Sequence, residues 1–100
     1  MTEKEIAQIC KALSDPNRLK IVKLLTGGEQ CACKLLEAFE INHSTLSHHM
    51  KVLSECNLVT TRKETKWSFY TLNTETLSDF KIYIENLSST KQSTTKCECK

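Results

Sequence analysis

A chain of 100 residues, 39% hydrophobic and 26% charged, is the size of one domain. A domain this small buries only about two-thirds of the surface its unfolded chain exposes, so pairing with a second copy would help it. Its net charge of +2 is too small to argue for nucleic-acid binding, which leaves charge placement to decide. No run of about eighteen apolar residues occurs and MTEKEIAQIC has no signal-peptide core, which excludes a membrane span and predicts a cytoplasmic protein. In a reducing compartment six cysteines read as metal ligands, redox groups or small buried hydrophobes rather than disulfides.

Thr2 and Glu5 fit a capping box for a first helix running to about Leu13, with Ile6, Ile9, Cys10 and Leu13 on one stripe. Cys10 on that stripe reads as packing, at a subunit contact if there is one. Asp15 as N-cap and Pro16 at the first helical position start a second helix. Leu19, Val22 and Leu25, with Ile21 and Leu24, give it a broad apolar surface, so it reads as central. Gly27 and Gly28, the two glycines of the chain, end it.

Residues 31–38 then read as a short helix, 39–42 as a tight turn and 43–55 as a second helix capped by Asn42. Each helical residue advances about 100° round the axis. On that projection Leu46, Met50 and Leu53 form the buried stripe, and His49 lies at its edge. Ser44, His48, Lys51 and Glu55 point the other way, flanked by Thr45 and Ser47. A short helix, a turn and a helix with a donor-rich outer face is the helix-turn-helix pattern, although two amphipathic helices can also simply pack in a core. The runs LVTTR (58–62) and WSFYTL (67–72) are β-branched and aromatic, joined by polar residues 63–66, and make a hairpin wing. Arg62, Lys63 and Lys66 cluster at its tip, where phosphates would be met. The expected fold is therefore mainly α with a small β-hairpin, a winged helix-turn-helix with about five helices. A last helix, capped at Asn73 or Thr74, carries Leu77, Phe80, Ile84 and Leu87 on one face. The rest, residues 89–100, has no apolar periodicity and reads as a disordered tail bearing Cys97 and Cys99, which leaves residues 1–88 as the folded domain.

The runs ALSDPNRLKIVKLL, EQCACKLLEAF and STLSHHMKVLSECNLVTTRK, in this order and spacing, closely resemble the ArsR-type family of metal- and metalloid-responsive repressors. The resemblance covers residues 5–87 and implies a homodimer, paired through the first and last helices. It also implies a repressor that holds double-stranded operator DNA and releases it when a toxic metal or metalloid binds. Ser44, Ser47 and His48 would then read the sequence, Thr45 and Lys51 would lie with them on the DNA-binding face, and Arg62, Lys63 and Lys66 would mainly supply affinity at the phosphates.

Cys31 and Cys33 are the candidate sensor. In a regular helix side chains two apart diverge by about 200°, so chelation by both is expected to require unwinding of the helix end. The dipole and unpaired amides of a first turn, with Lys34 nearby, favour thiolates. Soft thiolates select zinc, cadmium, lead, copper(I) and trivalent arsenic or antimony, and reject magnesium and calcium. Within the resemblance, a pair at this position looks like the arsenite and antimonite sensors. Those commonly carry a further cysteine three residues on, where this chain has Leu36. A third thiolate then falls to Cys97 or Cys99, next to Cys10, and last to Cys56. The tail pair is equally compatible with a scavenging site, an intersubunit disulfide or no function. The family's other zinc site, on the last helix, is rejected here because that helix holds Lys81 two residues after Asp79 and no histidine. Spacings of five and one among His43, His48 and His49 point to a DNA contact for His48 and packing for His49 rather than to a metal site. Two other readings stay open: a cadmium, lead or zinc repressor with Cys31, Cys33, Cys97 and Cys99 as four thiolates, or a thiol-redox repressor closed by a disulfide. No enzyme is expected, and no cofactor is required for DNA binding.

Overall fold

The computed structural model describes residues 1–88, so Cys97, Cys99 and the tail expectation lie outside the described residues. The elements are α1 (Glu3–Ala12), α2 (Pro16–Leu25), β1 (Gln30–Cys31), α3 (Ala32–Phe39), α4 (His43–Glu55), β2 (Val59–Glu64), β3 (Trp67–Leu72) and α5 (Thr74–Ser88).

Local chemistry fixes the helix starts. Thr2 and Glu5 close a reciprocal capping box on α1, with the Thr2 amide 2.8 Å from Glu5 Oε1. Asp15 accepts from the Asn17 and Arg18 amides ahead of Pro16. Asn42 accepts from the Thr45 amide at 2.8 Å and so caps α4. Glu40, at φ 51, takes the left-handed position that ends α3, a site where glycine is commoner because a Cβ is disfavoured there.

Ile9, Ile21, Leu25, Leu35, Leu46, Leu53 and Leu58 are essentially inaccessible and bring α1 to α4 and the start of β2 into one core. Tyr70 and Leu72 of β3 close it from the sheet side. Two expectations need correction. Leu19 is 52% exposed and Leu24 37%, so the apolar surface of α2 is narrower than its composition suggests, with Ile21, Val22 and Leu25 alone buried. Cys10 is exposed, because the buried arc of α1 is Ile6, Ile9 and Ala12.

The sheet has three strands in the order β1-β3-β2, antiparallel throughout. The hairpin was legible; β1 was not. Strand β2 runs two residues further than expected, leaving Thr65 and Lys66 as the turn, with Thr65 at φ 56. In α5, Leu77 and Phe80 pack on the core, whereas Ile82, Ile84 and Leu87 remain exposed.

Among the described residues, His49 is the buried polar side chain, 6% exposed. Arg18 donates from Nε to the Ala12 carbonyl at 2.6 Å and lies 3.2 Å through Nη1 from His49 Nδ1. A guanidinium has no acceptor, so His49 must be neutral with Nδ1 unprotonated. Burial first, then the charges of Arg18 and His48, hold its pKa below 6.5, with Asp15 opposing. A base whose folded pKa is depressed binds fewer protons folded than unfolded. Its contribution is therefore intact above about pH 6.5 and declines as pH falls from there toward the folded value. Urea midpoints should drop over that window, and His49→Asn, which can still accept from Arg18, should flatten the slope. A slope unchanged in His49→Asn would assign it to other groups.

Candidate metal centre and nucleic-acid interface

The two candidate thiols are already together. Cys31 Sγ lies 2.9 Å from Cys33 Sγ, and both are free thiols. The divergence expected of a helix does not apply, because Cys31 is not helical. It is the N-cap of α3, with φ −76 and ψ 146, and at the same time the last residue of β1, paired with Phe69. An extended residue followed directly by a helical turn folds the two side chains back toward each other. No unwinding of α3 is needed to bring both sulfurs to one ion.

The two thiols differ in acidity. The Cys33 thiol, then the Cys33 and Lys34 amides at the open end of α3, hold Cys31 below the ordinary value of 9.0, although no side-chain cap bond closes this helix terminus. Cys33 is pushed up, first by its bond to Cys31, then by burial and by the Cys31 charge. Of the two, Cys31 is therefore the thiol that ionises first, with its charge stabilised by the Cys33 thiol beside it. Among the described residues no group of three or more His, Cys, Asp or Glu side chains is arranged to hold a metal ion. Cys56, by contrast, is buried, bonded to the Leu53 carbonyl and raised in pKa by burial, as a structural thiol should be. Cys33 also lines a cavity of about 310 Å³ with Leu36, His43, Ser47, Trp67 and Tyr70, so the space beside Cys33 touches both α4 and β3.

Helix α4 follows the projection. Leu46, His49, Met50 and Leu53 are buried, and Ser44, Ser47, His48 and Lys51 are exposed, with Thr45 between. Lys63 and Lys66 are exposed at the wing tip. Arg62 is placed differently from those two lysines. Its Nη2 lies 2.9 Å from Glu29 Oε1, its Nη1 bonds Glu64, and its Cζ stands 4.6 Å over the Phe69 ring. Sequence reasoning missed Glu29, whose partner is 33 residues away and has no local signal.

A helical core, a helix-turn-helix whose second helix exposes a polar face, and a β-hairpin next to it define a winged helix-turn-helix. A homodimeric winged helix-turn-helix DNA-binding domain from Mycobacterium bovis superposes with a TM-score of 0.70 at 23% identity, covering 95% of this chain and 89% of that one. A crystal structure described as a possible transcriptional regulator for arsenical resistance gives a TM-score of 0.70 at 32% identity, over 77% of this chain and 80% of that one. The family described as bacterial regulatory protein, arsR family, matches residues 15–61. An arsenical resistance operon repressor of Staphylococcus aureus is 48% identical over the whole of this chain and 93% of its own length. This chain belongs to the arsR family of bacterial regulatory proteins.

Proposed function

We propose that this protein is a repressor that binds operator DNA as a homodimer and releases it when trivalent arsenic or antimony is taken up by Cys31 and Cys33. The observation that carries this reading is the 2.9 Å thiol pair at the joint between β1 and α3. That joint belongs at once to the wing sheet and to the helix leading into α4. The similarity to arsenical resistance operon repressors supports the choice of inducer.

Arsenous acid exchanges one hydroxyl for each thiol and releases one water each time, so the pair contributes two of three bonds. Cys97 or Cys99 is the candidate for the third. Bond formation draws the two sulfurs to fixed places around one atom and shifts β1 against α3. A ligand that binds the shifted form better moves the dimer away from its DNA-holding shape, typically by about 1–3 kcal/mol, roughly 5 to 150-fold in affinity. Ser44, Thr45, Ser47, His48 and Lys51 meet base edges and nearby phosphates, and Lys63 and Lys66 meet the backbone. Arg62 joins them as far as Glu29 leaves it charge to share. Pairing of α1 and α5 with a second copy covers Ile82, Ile84 and Leu87 and sets two reading helices about 34 Å apart, one per half-site.

Release of a labelled operator, titrated separately with arsenite, antimonite, cadmium, lead and zinc, tests the assignment. Arsenite and antimonite should act at the lowest concentrations, with three thiols consumed per ion. Response to cadmium, lead or zinc alone, with four thiols consumed, would replace it by the four-thiolate reading, and release by peroxide without any ion by the redox one. For the DNA face, His48→Ala should alter preference among operator variants. Lys63→Ala should weaken all of them alike and lower the salt slope by about one. A His48→Ala protein that ranks variants as the wild type does would remove His48 from the reading face.

A further inference from the structure

The sheet carries a second link between the thiols and the wing, and it lies outside the metal-binding atoms. Cys31 pairs with Phe69, and Phe69 pairs on its other side with Arg62. Residues directly opposite in an antiparallel sheet share a face. Val59, Tyr70 and Leu72 occupy the core face, so Cys31, Phe69 and Arg62 form one row across the outer face. Glu29, just ahead of β1, closes that row. Its Oε1 accepts from Arg62 Nη2 at 2.9 Å, and its Oε2 accepts from Arg62 Nε at 3.4 Å and from Thr71 Oγ1 at 3.2 Å. One carboxylate therefore binds both wing strands to the strand that ends in Cys31.

We propose that Glu29 is the positioning residue through which the state of the thiol pair reaches the wing. The inference rests on the reading of Cys31 and Cys33 as the inducer site, and it adds the route by which that site acts. Strand β1 is only two residues long. Its own backbone bonds give it little purchase on a hairpin of two six-residue strands. A fork of guanidinium on carboxylate fixes direction as well as distance. When an ion draws Cys31 toward its other ligands, β1 moves, and Glu29 carries that movement over β3 to Arg62 on β2. The pair is partly solvent-exposed on both sides, 49% and 38%, so it contributes little to stability. A link that is weak in stability and exact in direction suits a switch. It also holds Arg62 away from DNA phosphates, so the same contact sets how much charge the wing offers.

The full chain allows a direct test, because its one tryptophan, Trp67, starts β3 opposite Glu64 and reports on the wing. Wild type, Glu29→Ala and Glu29→Gln are each titrated with arsenite while three signals are read. These are the near-ultraviolet absorbance of arsenic–thiolate bonds, Trp67 emission and anisotropy of a labelled operator. In Glu29→Ala the absorbance should saturate at the wild-type equivalence point, and operator affinity without arsenite should stay at or above the wild-type level. The Trp67 change should vanish, and the arsenite-induced drop in operator affinity should shrink by about fivefold or more, the lower end of ordinary coupling. Glu29→Gln, which keeps the size and the Thr71 contact, should fall between the two. A merely structural role would lower the urea midpoint and leave the Trp67 response of the folded protein intact. Wild-type Trp67 response and wild-type release in both variants would overturn the inference and route the signal through α3 instead. Absence of the absorbance in the wild type would instead overturn the reading of the thiol pair, and this inference with it.

Discussion

Cys31→Ser and Cys33→Ser should each give a protein that holds its operator as tightly as the wild type and no longer lets go when arsenite is added. Neither sulfur lies on the outward face of α4 or at the wing tip, so DNA contact is untouched. The loss of response should span the whole coupling, roughly 5 to 150-fold in operator affinity. The fold is safe at both positions. Cys31 is the N-cap of α3 without a side-chain cap bond, and serine is among the preferred residues there, so Cys31→Ser should hold or slightly raise stability. Cys33 is exposed in the first turn. Operator anisotropy against arsenite concentration measures the effect. Release by either variant at wild-type arsenite levels would remove the pair from the sensor role. Cys97→Ser with Cys99→Ser should weaken inducer affinity and leave some response, whereas complete loss in that variant alone would move the sensor to the tail.

The second large effect is on stability. Leu35 is fully buried in α3 and belongs to the same core as Leu46, Met50 and Leu53 of α4. Leu35→Ala removes that packing and leaves a cavity, which costs about 2–5 kcal/mol. Small domains hold only about 5–15 kcal/mol in all. The urea midpoint should fall accordingly, and operator affinity should fall with it, because α4 is oriented by this contact. Leu19→Ala, on the same class of residue but exposed, should change the unfolding free energy by less than about 0.5 kcal/mol and barely move the midpoint. Equal effects of the two substitutions would contradict the core described above.

Much of this was legible in the chain because it is local. A capping box needs Thr2 and Glu5 alone, Asp15 and Pro16 announce α2, and the buried stripe of α4 follows from helical angle. What escaped is non-local. Strand β1 is two residues with no periodicity, and it exists only because β3, some forty residues on, offers an edge. Reading Cys31 as helical therefore gave the wrong angle between the thiols and an unwinding step that the structure does not require. Arg62 read as a free cation for the same reason, since its partner Glu29 is remote in sequence. Leu19 and Leu24 misled in another way: composition gave α2 a broad apolar surface, and only the packing decides which arc of it is covered.

The most direct measurement reads binding and release in one sample. Reduced protein on labelled operator is titrated with arsenite while thiolate–arsenic absorbance and operator anisotropy are recorded together. If the thiol pair is the switch, both signals should break at the same point, at one arsenite per Cys31–Cys33 pair. Absorbance that saturates while the operator stays bound, or an operator that leaves before any thiolate–arsenic absorbance appears, would contradict it.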